Sequence, residues 1–199
     1  MVSPAYHVAM SELSPLYTLI ERIGNLLRNE LRTAGAPCEL EPVHWQALDY
    51  LGRANAYSNT PIAVADYLGL TKGNVSQRLI ALERAGFIKR SPDTKDGRVS
   101  HLALTAKGRA LLSAQVPPTT WREALGVLPR DTQDTLEQGL SELLRALQRS
   151  RNSRSFGVCH TCRLFQREGK QFRCGLTHEP LAEEQTRKIC REHEVKTAA

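Results

Sequence analysis

The chain has 199 residues, 41% of them hydrophobic and 24% charged, with a formal net charge of +6. That length accommodates one ordinary domain with an appendage, or two small domains, and excludes a large multidomain assembly. No apolar run approaches the roughly 18–20 residues needed to cross a bilayer, and Met1 to Met10 lacks the basic residues of a secretory leader, so the expected setting is the cytoplasm without a membrane span.

The charge is concentrated. Between Thr71 and Arg109 stand Lys72, Arg78, Arg84, Lys89, Arg90, Lys95, Arg98, Lys107 and Arg109, against only Glu83, Asp93 and Asp96; elsewhere basic and acidic residues cancel. Clustered Lys and Arg suit a polyanion, because neutralising phosphates releases condensed counterions. The cysteines are equally uneven: Cys38 stands alone, whereas Cys159, Cys162, Cys174 and Cys190 share the last stretch with His160, His178 and His193. In a cytoplasmic protein such a group points to metal or redox chemistry rather than a disulfide framework.

In chain order, Ser14-Pro15 reads as a cap and first helical position, and Leu16, Leu19, Ile20, Ile23, Leu26, Leu27 and Leu31 predict an amphipathic helix to about Arg32. Pro42 opens a second helix through Val43, Ala47, Leu48 and Leu51, ending near Gly52. Thr60-Pro61 opens a short third helix that Gly69 stops, and Thr71 at once caps a fourth, with Val75, Leu79 and Leu82 on one face and an end at Gly86. Two short helices joined so tightly form a helix-turn-helix. The second carries Lys72, Ser76, Gln77 and Arg78 on its other faces, where a core helix would carry more Leu. Phe87–Arg90 and the alternating Arg98–Leu104 predict a hairpin around a turn at Ser91–Gly97, with Lys95 and Arg98 near its tip and Asp96 placed to orient Arg98. Thr105 caps a further helix that Pro117-Pro118 interrupts, and after Pro129 a last helix runs through Leu136, Leu140, Leu143, Leu144 and Leu147.

Helices followed by a two-stranded wing allow one helix to enter a major groove while the hairpin tip reaches a phosphate or a minor groove. From about Leu16 to Leu147 the chain resembles the MarR family of winged-helix regulators. The resemblance rests on Leu79-x-x-Leu82-Glu83-x-x-Gly86-Phe87-Ile88-x-Arg90 within the run from Thr71, followed by Asp96-Gly-Arg98 and by Leu104-Thr105-x-x-Gly108. It implies a homodimer on double-stranded DNA, two copies reading a pseudo-palindromic operator. The first helix and the last two would form the dimer interface. It also implies a recognition helix bearing Thr71, Lys72, Asn74, Ser76, Gln77 and Arg78, with Arg98, and Lys95 beside it, on the wing. Gln77 suits adenine, and Arg78 suits guanine or a phosphate. A small, often aromatic, effector would bind between the dimer helices and the DNA-binding lobe. Two features depart from the pattern: Pro117-Pro118, and the continuation past the last dimer helix.

That continuation spaces its cysteines as Cys159-x-x-Cys162, Cys174 and Cys190. A Cys-x-x-Cys turn aims two thiolates at one centre, and two later ligands close the site. The ligand set is either the four cysteines or Cys159, Cys162 and Cys174 with His178. The apolar residues from Phe156 onward are too few for an independent core, which favours a bound metal as staple. Zinc is the preferred occupant, an iron–sulfur cluster the alternative, and a metal-free thiol–disulfide switch the third possibility. Cys38 is expected to be a buried small hydrophobe.

The expected fold is therefore mainly α with a small β-hairpin wing (α+β). A winged helix-turn-helix with helical dimerisation region occupies residues 1–148, a linker 149–155 and a small Cys-rich metal-binding tail 156–199. The expected function is a sequence-specific transcriptional regulator, most simply a repressor and not an enzyme, modulated by a small ligand or by the metal or redox state of the tail. A competing class is a redox or iron–sulfur sensor or enzyme that uses the winged helix as an interaction module. No Gly-rich phosphate loop, His-Glu-x-x-His or Gly-x-Ser-x-Gly supports catalysis.

Overall fold

A computed structural model describes residues 4–94, 96–151 and 153–196, with side chains from Pro15 onward. Lys95, expected near the wing tip, lies outside the described residues. The chain divides into two compact units, residues 1–45 and 46–199.

The first unit is dominated by α1 (Pro4–Gly35). This corrects the start read at Ser14-Pro15: Pro15 lies inside the helix. Ala5, Ala9, Met10, Glu12 and Leu13 are strong helix formers, and together they carry the helix back through a residue that usually begins one. A 3₁₀ turn at Ala36–Cys38 follows, closed by Glu39 in the left-handed region at φ 56°. Cys38 is exposed on this turn, not buried as expected. Tertiary placement, which the composition of Thr33–Pro37 does not encode, decides that point.

The second unit holds the helix-turn-helix and the hairpin. Helix α2 (Pro42–Arg53) spans the division between the units, and α3 (Pro61–Leu68) and α4 (Lys72–Arg84) follow it. Both short helices are capped by threonine: Thr60 Oγ1 accepts from the Ala63 amide at 3.3 Å and Thr71 Oγ1 from the Asn74 amide at 3.4 Å. Each cap satisfies an orphan N–H and is worth about 1 kcal/mol. Val75, Leu79 and Leu82 bury one face of α4 against a core shared with Leu48, Val64, Ile88 and Leu102. A fully buried Leu or Val contributes roughly 1.5–3 kcal/mol, so this core outweighs the caps. Gly86, at φ 75°, ends the helix in a conformation that a Cβ disfavours.

Strands β1 (Ile88–Pro92) and β2 (Ser100–Leu104) pair antiparallel, with Ile88 opposite Leu104 and Pro92 opposite Ser100. The first strand lies one to two residues later than Phe87–Arg90, because Phe87 is used in the turn out of α4. Helix α5 (Ala106–Gln115) is capped by Thr105, whose hydroxyl accepts from the Gly108 amide at 3.0 Å and donates to the Gly86 carbonyl at 2.7 Å. Gly108 is buried against the turn from α4 into β1, where a Cβ would stand 2.1 Å from the Phe87 carbonyl oxygen. The glycine of the Leu-Thr-x-x-Gly motif is thus a close backbone approach. Pro117-Pro118 separates α5 from the short α6 (Thr119–Gly126), and α7 (Arg130–Ser150) completes the helices before the tail.

The tail is a small three-stranded antiparallel sheet, β3 (Phe165–Glu168), β4 (Gln171–Cys174) and β5 (Pro180–Leu181), with a single turn α8 (Glu183–Thr186). It does not stand apart from the helices. Ile189 bridges the loop before α3, donating its amide to Arg53 O at 2.8 Å and accepting from Asn55 N at 2.9 Å. Gln185 Oε1 accepts from Ala56 N, Tyr57 donates to Glu179, and the Ser58 hydroxyl accepts from the Arg191 amide. The Arg191 guanidinium adds an ion pair with Asp66 at 2.6 Å. No helix among the described residues is long and apolar enough to cross a membrane.

Candidate nucleic-acid interface and cysteine centre

The α3–α4 turn and the wing define one polar surface. On α4, Thr71, Lys72, Asn74, Ser76 and Gln77 are exposed, while Arg78 is half-buried and engaged within the chain. The exposed set lies opposite the buried Val75–Leu79–Leu82 face, as the helical period requires. Short hydroxyl, amide and amine groups on a rigid, well-anchored helix are suited to hydrogen-bonding a polar partner.

At the wing tip Arg98 is 91% exposed yet held in one direction. Asp96 accepts from its Nε and Nη2, each at 3.0 Å, and from its backbone amide at 3.0 Å. These bonds hold the Asp96 carboxyl below the usual carboxylate range. Asp96 is fixed in turn, its amide donating to Asp93 Oδ1 at 2.8 Å. Asp93 Oδ2 meets His101 Nε2 at 2.8 Å, and His101 Nδ1 meets Asn59 Oδ1 at 2.6 Å. The wing thus connects by side-chain contacts to the loop ahead of α3.

The basic cluster is not uniformly free. Lys107 donates to Ala85 O at 2.9 Å and lies over the Phe87 ring, and Arg109 donates to Leu104 O at 2.7 Å. A cation such as Lys107 beside a carbonyl at the C-terminal end of α4 complements that helix's dipole, whereas Arg109 caps the end of β2. Part of the charge excess read from the sequence therefore braces the fold, while Lys72, Lys89 and Arg98 remain exposed.

Comparison with known proteins bears on this geometry. The MarR family model matches residues 39–99. The HTH-type transcriptional repressor Rv2887 of Mycobacterium tuberculosis is 30% identical over 104 residues, 52% of this chain and 73% of the relative. The chain belongs to the MarR family. HTH-type transcriptional repressor Mb2911 of Mycobacterium bovis matches to the same extent. Among solved structures, MepR of S. aureus in its DNA-binding conformation superposes with a TM-score of 0.57 at 23% identity, covering 67% of this chain and 98% of that one. FabT of Streptococcus pneumoniae, solved in complex with DNA, gives a TM-score of 0.56 at 24% identity over 69% of this chain and 97% of that one. At such identities these structures establish the winged-helix fold.

The four tail cysteines are brought together. Cys159, Cys162, Cys174 and Cys190 all line one small cavity of about 40 Å³, whose other walls include Leu164, Phe165, Leu176 and Tyr57. A 3₁₀ turn at Cys159–Thr161 supplies the first two, the end of β4 the third and the Ile189 bridge the fourth. All four are free thiols. Burial pushes the Cys159 thiol up to about 12, and Cys190, Cys174 and Cys162 act in the same direction. Burial also raises Cys190, opposed by Asn55, the Glu192 backbone and Ser58. The Glu194 amide donates to Cys162 Sγ at 3.4 Å.

His178 does not line the cavity; its carbonyl accepts from Arg173 on the rim of the sheet. His193 is held by Ser155 and Thr161, each at 2.9 Å from a ring nitrogen, and burial lowers its pKa. Asn55, absent from the sequence reading, is 1% exposed and its Nδ2 has no partner of full hydrogen-bond geometry. It is nevertheless close enough to Cys190 to favour the thiolate there. Nothing in Ala54–Thr60 distinguished it from any polar loop.

Proposed function

We propose that this protein is a homodimeric, sequence-specific DNA-binding transcriptional repressor whose helix α4 reads the major groove and whose wing places Arg98 at the minor groove or a neighbouring phosphate. The observation that carries this reading is the conjunction of two exposed features. The polar face of α4 bears Thr71, Lys72, Asn74, Ser76 and Gln77, and the wing arginine is aimed by a two-point contact with Asp96. Gln77 suits adenine, whereas Lys72 and Arg98 suit phosphate or a narrow groove. Arg78, half-buried, is a weaker candidate for a base contact than its sequence position suggests.

One helix reads a half-site, and two-fold pairing supplies the other. Exposed apolar stripes support pairing: Leu16, Leu19, Ile23 and Leu26 on α1, and Leu136, Leu140, Leu144 and Leu147 on α7. Unpartnered leucines at successive helical turns are rare on a monomer's surface and mark an interface.

A ligand-responsive role is supported by an open cleft of about 670 Å³ with Tyr67, Phe156, Leu144 and Leu147 in its wall and Arg151 and Arg154 beside them. Its size and its aromatic and cationic lining suit a small aromatic, acidic effector.

Selection of operator sequences from a random duplex pool, followed by a salt series on the winner and on a scrambled duplex, tests the central reading. A palindromic winner bound at least about 10³-fold tighter than the scrambled duplex supports a specific regulator. Equal affinities with the same salt slope refute sequence-specific regulation and leave an architectural DNA binder.

A further inference from the structure

We infer that Cys159, Cys162, Cys174 and Cys190 are the ligand set of an iron–sulfur cluster, with the Asn55 side chain and the Glu194 amide as donors to its thiolates. Four observations converge. The four sulfurs come from three separate stretches of chain and line one cavity, without a disulfide between any of them. A single tetrahedral zinc holds its thiolates at about 2.3 Å, which sets the sulfurs roughly 3.8 Å apart. Among the described residues no three His, Cys, Asp or Glu side chains are grouped as a single ion requires. A cluster places several irons and sulfides between its thiolates, so it takes four cysteines spread round a cavity instead of gathered at a point.

The cavity itself is the third observation. Its volume of about 40 Å³ exceeds the roughly 10–15 Å³ that one water requires, yet its wall beyond the thiols is largely Leu164, Phe165, Leu176 and the Tyr57 ring. Such a wall offers water few partners and suits the sulfide face of a cluster. The fourth is a pair of N–H groups: the Glu194 amide donates to Cys162 Sγ at 3.4 Å, and the buried, unpartnered Asn55 side-chain amide belongs to a residue whose backbone bonds to Ile189, next to Cys190. A buried amide lacking a good acceptor costs about 1–3 kcal/mol unless a stronger acceptor than a thiol is present, and a ligating thiolate is one. Hydrogen bonds to ligand sulfurs are also a protein's means of tuning a cluster's potential.

On ligation each S–H bond breaks as an Fe–S bond forms, and its proton passes to solvent. Iron, supplied as ferric and ferrous ions in the ratio that the cluster holds, and inorganic sulfide come from outside the chain, so neither the cysteines nor the sulfide change oxidation state. His178 has no part in this set, and Cys38 lies on a turn of the other unit.

The test uses the full chain, purified and reduced without oxygen, freed of reductant, and incubated with ferric and ferrous iron and sulfide, with a parallel sample given zinc alone. The expected result is a brown protein that retains iron and acid-labile sulfide in equal amounts after desalting. Cys159→Ser, Cys162→Ser, Cys174→Ser and Cys190→Ser should each lose the colour, and Cys38→Ser should keep it. Because a serine variant that fails to fold would also be colourless, X-ray absorption at the iron edge of the unsubstituted protein provides an independent arm. An all-sulfur iron environment supports the assignment. Zinc uptake without cluster formation, iron without sulfide, or a nitrogen or oxygen ligand to iron overturns it.

Discussion

Arg98 shows how one side chain can be both exposed and directed. Its two-point contact with Asp96 restricts a long side chain that would otherwise lose rotamer freedom on meeting DNA. Removing the cation and removing the restraint should therefore be separable. Arg98→Ala is expected to weaken operator binding and reduce the salt slope by about one. Asp96→Asn keeps the cation, so the salt slope should hold while affinity falls by a smaller factor. Fluorescence anisotropy across a salt series measures both, and equal slopes for Arg98→Ala and the unsubstituted protein would remove Arg98 from the interface. At Gly108 the constraint is steric: a Cβ 2.1 Å from the Phe87 carbonyl oxygen forces backbone to move. Gly108→Ala should cost about 1–3 kcal/mol, read as a lower melting temperature in calorimetry.

The helices and the wing were legible where local chemistry alone decides them. Thr60-Pro61, Thr71, Gly69, Gly86 and Thr105 act within a few residues of themselves, and the structure has each in the cap or stop its sequence implies. Ser14-Pro15 misled because a start signal gives no information about the helix formers upstream of it. The tail strands, of two to four residues, are too short for alternation to register, and their pairing depends on partners elsewhere in the chain. The cysteine spacing announced a centre but not its shape; that required the cavity. The apolar stripe of α7 was legible as a stripe, though which partner covers it is not a local property. If a second copy does, Leu140→Glu and Leu144→Glu on α7 should shift sedimentation from dimer to monomer while the far-ultraviolet circular dichroism holds. A variant that stays dimeric would place the interface elsewhere.

Across the whole molecule, the tail and the reading head are joined through the loop from Ala54 to Thr60. That loop receives Ile189, Gln185 and Arg191 on one side. On the other, Asn59 accepts from the Leu102 amide at 2.7 Å and contacts His101, whose partner Asp93 steadies the wing. The cysteine cavity and the wing are thus both joined by hydrogen bonds to this one loop. Arg191→Ala should loosen this joint first. Amide hydrogen exchange is expected to quicken at Asn55 and Ile189 while Leu79 and Leu82, in the α4 core, stay protected; unchanged exchange at Asn55 would show that the joint does not depend on Arg191. The Asn55–Ile189 bond also has a consequence for biosynthesis. Its partners are separated by most of the polypeptide, and such distant pairings close slowly because the intervening chain must be ordered first. While the protein emerges from the ribosome, its helices can form in turn, but the loop that leads into α3 and α4 acquires its last hydrogen bonds only after residue 191 has been made. A nascent chain therefore carries an unfinished reading head, and its completion waits on the same stretch that delivers the fourth cysteine.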